Sequence, residues 1–248
     1  MKKTTSLVVA VAIAACNLFA QENTYMEMKI TSTKGTTGNI KVYFSQSGHR
    51  MEFDMSMPQI PNGAMHRVSI IKKNNPDSLI TIDDANKNYS VMDITPKSTT
   101  DNSTYTVTKV GEETVDGYKC IHSVVTGSHK ENYDVWTSKD VPFYEQYNKI
   151  SQSNPKIGSS ARYKAMKDAG VDGFPVKTVI KNKDVEITTE LVKIEKRDIP
   201  ASMFEIPTGY TQSTSPSGMM KPADIMKMTP EERTKYIEDM KKMYGGGQ

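Results

Sequence analysis

Along much of this chain, apolar and polar residues alternate one by one. Glu27 and Lys29 separate Met26, Met28 and Ile30; Lys41 and Tyr43 separate Ile40, Val42 and Phe44; Glu52, Asp54 and Ser56 separate Met51, Phe53, Met55 and Met57. A period of two sends successive side chains to opposite faces of an extended strand, so each run reads as a half-buried antiparallel strand. Composition points the same way, because 62 of the 248 residues are β-branched and only 4 are Leu. β-branched side chains lose rotamers against a helical turn and pack well on a pleated surface. An all-α bundle is excluded.

Further strands are predicted at 67–72, 78–83, 88–94, 104–111, 117–126 and 132–138. Turn chemistry separates them at Gly35 to Gly38, Ser47-Gly48, Asn74 to Asp77, Asp83 to Asn88 and Asp116-Gly117. Residues 141–170 change character: Tyr144, Tyr147 and Ile150, then Ala161, Tyr163, Ala165 and Met166, suit two short helices closed by Gly170. Strands resume at 175–182 and 185–196. The expected fold is mainly β (α+β), about eleven strands with one helical insertion.

The ends of the chain read differently. Lys2 and Lys3, an apolar run from Leu7 to Ala15 and Leu18-Phe19-Ala20 before Gln21 form the layout of a secretory signal peptide over residues 1–20. A cut after Ala20, a good general junction, leaves a soluble periplasmic protein. Ile13-Ala14-Ala15-Cys16 also resembles a lipobox, and a cut before Cys16 would acylate that cysteine and give an outer-membrane lipoprotein. Either way Cys120 is left without a disulfide partner, which predicts a buried structural thiol. After Tyr210 the composition is that of a linker, 211–228. Thr229 as N-cap, Pro230 and Glu232 then open a C-terminal helix that Gly245 to Gly247 end, over 229–248. Ile237, Met240 and Tyr244 share one of its faces, to dock on the main domain or to meet an envelope protein partner.

Loss of Lys2 and Lys3 lowers the formal charge from +3 to +1. No basic block stands out, so nucleic acid is not an expected partner. The four histidines are scattered, with no H-x-x-x-H or H-E-x-x-H spacing, and neither a phosphate loop nor a G-x-S-x-G elbow occurs. His122 lies two residues from Cys120, nearly 7 Å along a strand and too far for direct proton transfer. The sequence therefore calls for no enzyme, no cofactor and no metal ligand set of the His/Cys type. The 16 methionines leave three readings open: core packing, an adaptable apolar lining, or soft-metal binding through Met-x-Met pairs. A lining needs only that Val42, Phe44, Met51, Phe53, Met55 and Met57 share one face.

Four segments carry a family resemblance: Gly111 to Cys120, Val135 to Pro142, Gly173 to Val176, and Met203-Phe204-Glu205-Ile206-Pro207-Thr208-Gly209-Tyr210. Over about residues 24–210 the chain resembles an uncharacterised family of exported bacterial proteins near the lipoprotein-carrier (LolA-like) superfamily. The resemblance implies an open, strongly curved half-barrel over 21–210 whose concave face is plugged by helices and holds acyl chains or other apolar ligands. The expected role is a periplasmic or outer-membrane-associated, non-enzymatic protein that shields an apolar or lipid-like ligand. The alternative is a structural or interaction protein of the cell envelope with a self-filled barrel. The helix beyond Tyr210 inherits nothing from the resemblance.

Overall fold

The computed structural model describes residues 23–58, 64–95, 103–128, 132–145, 147–148, 161–182 and 185–213, with Thr229, Glu231 and Thr234 beyond them. The expected signal peptide with Cys16, nearly all of the expected linker and C-terminal helix, His129 and Ile150 lie outside the described residues. Eleven strands are β1 (Thr24–Ser32), β2 (Thr37–Ser45), β3 (Gly48–Ser56), β4 (Ala64–Lys72), β5 (Asn75–Asp83), β6 (Asn88–Asp93), β7 (Tyr105–Val115), β8 (Tyr118–Gly127), β9 (Asn132–Ser138), β10 (Phe174–Asn182) and β11 (Val185–Lys196). Helix α1 (Ala161–Asp168) precedes β10; a 3-10 turn (Ala201–Phe204) and a two-residue strand β12 (Thr211–Gln212) follow β11.

All twelve strands form one sheet in the order β12-β6-β5-β4-β3-β2-β1-β11-β10-β9-β8-β7. The first six strands meander one way and β7 to β11 meander back, so that β11 joins β1 antiparallel. The outermost strands β12 and β7 do not pair with each other. The sheet is open and curved, a half-barrel. Register shifts at Glu27/Met28, Ile70/Lys72, Lys109/Gly111 and Pro175/Lys177 bend the ladders, and such bulges add the local twist that curvature needs.

Three local expectations change. A twelfth strand, β12, opens the stretch read as linker; it runs parallel to β6 and two polar residues carry no alternation. β5 starts at Asn75, within the expected turn, since Pro76 is tolerated close to a strand's beginning. Gly38 belongs to β2, the reversal being taken by Gly35 at φ +81°. At the next reversal Gly48 is required twice over: its φ is +149°, and a Cβ there would stand 2.2 Å from the Ile71 carbonyl oxygen.

Register defines two faces. Leu191, Met28, Ile40, Phe53 and Arg67 lie in one cross-strand row, and Ile194, Met26, Val42, Met51 and Ser69 in the next. This inner face is covered by the segment after β9, whose Val141 and Phe143 join its core and whose Tyr144 and Tyr147 pack against it. Further along, Met166 of α1 packs on Val125, Tyr133, Val135 and Ile180. On the outer face, residues 198–210 form a strap. Its Ile199 and Phe204 are buried on Tyr25, Tyr43, Val68, Ile70, Ile80 and Ile82. The strap is tied by Arg50 Nη1 donating to the Met203 carbonyl at 2.9 Å, by the Lys72–Glu205 ion pair, and by Tyr210 Oη donating to Asp84 Oδ1 at 2.6 Å.

Candidate functional site

The six residues expected to line a ligand site divide into two groups. Val42, Phe44, Met51 and Phe53 are 1–6% exposed and belong to one cluster, as their shared parity requires. Met55, near the end of β3, and Met57, just past it, are half-buried. The cover reaches the first group directly, with the Phe143 ring centroid 4.8 Å from that of Phe44. Phe143 in turn meets Phe174 edge-on at 6.4 Å, and Tyr147 meets Phe174 at 5.2 Å. Polar contacts hold the cover at its rim: Lys139 Nζ lies 3.2 Å from Asp172 Oδ1, Tyr144 Oη donates to Asp172 Oδ2 at 3.3 Å, and Tyr163 Oη donates to Asn148 Oδ1 at 3.2 Å.

Two inward residues had no place in the sequence reading of the site. Met65 stands directly across from Met55, and Arg67 directly across from Phe53. Alternation alone puts Met65 and Arg67 on one face, but the expected strand began at residue 67, so the register that couples them to β3 was invisible. His49 also faces inwards, two residues before Met51. Burial pushes its imidazole down to a pKa of about 4, so it is neutral at pH 7.

The remaining titratable clusters are built as structural pairs. The His122 ring stacks on Trp136 with centroids 4.1 Å apart and planes at 5°. Its Nε2 lies 3.0 Å from Asp134 Oδ1 and its Nδ1 3.7 Å from Glu113 Oε1, while Trp136 Nε1 donates to that Glu113 oxygen at 2.5 Å. His66 is bracketed likewise, by Asp54 at 2.6 Å and Asp84 at 3.2 Å. Cys120 is buried, its thiol donates to the Tyr118 carbonyl at 3.5 Å, and burial pushes its pKa up. Such a thiol is a poor nucleophile. The cross-strand tyrosines pack on one another, with Tyr25 and Tyr43 at 5.2 Å. Where β1 begins and β2 and β11 end, an open depression of about 680 Å³ is lined by Asn23, Ser45, Gln46, Ser47, Lys196, Arg197, Asp198 and Ile199, a mostly polar wall unsuited to an acyl chain.

Residues 23–210, from the start of β1 to the end of the strap, match the sequence profile of a family described as a domain of unknown function, DUF4412. The chain belongs to that family. No curated protein matches it significantly. Among solved structures, the DUF4412 chain is similar to an uncharacterized conserved protein from Thermus thermophilus, with 9% identity over 83% of this chain and 98% of that one, at a TM-score of 0.46. It is also similar to LprF from Mycobacterium bovis, with 8% identity over 82% and 98%, at 0.34. The LolA superfamily protein NE2245 from Nitrosomonas europaea matches with 11% identity over 82% and 98%, at 0.28.

Proposed function

We propose that this protein is a non-catalytic binding protein of the bacterial cell envelope that shelters an apolar or lipid-like ligand against the inner face. Val42, Phe44, Met51, Phe53, Met55 and Met57 are its wall. The observation that carries the reading is how that face is closed: not by a second sheet, but by Phe143 and Tyr147 from a short segment outside the strands. An acyl chain that displaces these rings keeps the wall dry, and each buried methylene contributes about 0.8 kcal/mol. Methionine adds adaptability, since an unbranched thioether re-packs around differently shaped chains. The secretory leader supports a periplasmic location, or the outer membrane if Cys16 is acylated.

The same ring contact favours a second reading, in which Phe143 fills the barrel permanently and the protein acts as an interaction module. The two separate in one titration. A fluorescent long-chain fatty acid added to the mature protein should be taken up saturably, and Phe53→Glu, which puts a charge in the wall, should abolish uptake. Absence of saturable uptake by the folded wild type would leave the filled-barrel reading.

A further inference from the structure

We propose that the ligand of the inner face is an anionic amphiphile whose head, a carboxylate or a phosphate, is held by Arg67. This rests on the binding reading above and adds the ligand's chemical class. Among the described residues, Arg67 is the one charged side chain at the inward-facing positions of β1 to β4, His49 being neutral. On β4 it follows a row that runs Leu191, Met28, Ile40, Phe53, all apolar and buried, and the Val68/Ile82 register sets Asp83 of β5 at the next position across from it. Arg67 itself is half-buried. A guanidinium carries five N–H donors, so a contact made within the protein leaves others for a ligand. Its planar fork matches carboxylate and phosphate oxygens two at a time, and partial burial strengthens that pairing. Four strand spacings separate β4 from β11, about 19 Å, the length of a long acyl chain. The row thus has the pattern of a single-tailed amphiphile: a charge at one end and an apolar track leading away, with the half-buried Met55 and Met65 beside the head.

The test compares three probes with the same tail, hexadecanoate, hexadecyl phosphate and hexadecanol, as displacers of a neutral fluorescent lipid from the mature protein. Hexadecanoate or hexadecyl phosphate should bind about ten-fold or more tightly than the alcohol, the scale of a charge-assisted hydrogen-bond pair. Whichever anion binds tighter identifies the head. Arg67→Gln should reduce both anions to the alcohol's affinity and leave the alcohol unchanged, and Arg67→Lys should restore part of the difference. Equal affinity of acid and alcohol for the wild type overturns the inference and leaves the binding reading intact, even if the variants do not fold. An equal loss for all three probes in Arg67→Gln also overturns it, since Arg67 would then only support the wall. Failure of every probe, the neutral lipid included, overturns the underlying reading as well.

Discussion

His49 shows how one residue's chemistry is set by strands that the sequence does not place side by side. Its imidazole is edge-on to Phe44 at 5.0 Å, opposite Ile71, and buried. In the unfolded chain it titrates near 6.5, whereas burial lowers the folded value to about 4. Between these values the unfolded state binds more protons, so stability is fully present above about pH 6.5 and falls as the pH drops towards 4. The loss over that window is about 3 kcal/mol at most. Urea denaturation as a function of pH should record this fall, and His49→Phe should flatten it. An equal acid slope in the variant would assign the effect elsewhere. Alternation put His49 on the same face as Met51, but nothing local announced that the ring is buried. That depends on Phe44 of β2 and Ile71 of β4 flanking it, as Arg67's place depends on β3.

At the scale of elements, period two was legible wherever a strand has one wet and one dry face, and so β1, β2 and β3 were readable almost residue by residue. The strap was not. Residues 198–210 have no period, because they cross the sheet rather than run within it. Their resemblance motif therefore gave family but not position. Phe204 is the strap's deepest anchor, buried on Val68, Ile70, Ile80 and Ile82. Phe204→Ala should cost about 3–5 kcal/mol, the range for deleting a core ring, read as a lower urea midpoint. Tyr210→Phe, which removes only a solvent-exposed hydroxyl donated to Asp84, should move that midpoint far less. Similar losses for the two would mean that the ring is not what holds the strap.

For the whole molecule, the pairing of β1 with β11 decides the architecture, and its partners lie over 150 residues apart along the chain. No local pattern encodes that contact, which is why strand count was readable and the open half-barrel rested on resemblance. An open sheet leaves edges. β7 is long and outward-facing, with Val110 57% exposed, but the bulge at Lys109/Gly111 and the Lys109–Glu112 pair at 2.8 Å interrupt it. Bulges and edge charges discourage edge-to-edge association. Lys109→Val with Glu112→Val should therefore promote self-association, visible by sedimentation velocity; a variant that sediments like the wild type would show that the bulge alone suffices.

The central claim is that the inner face holds an apolar ligand. Native mass spectrometry of the mature protein, purified from its own host without detergent and then extracted with organic solvent, tests it most directly. The account predicts a bound mass that leaves with the solvent and is identified as a long-chain anionic lipid. A protein that flies at its bare mass, and that takes up no long-chain fatty acid when offered one, would contradict it.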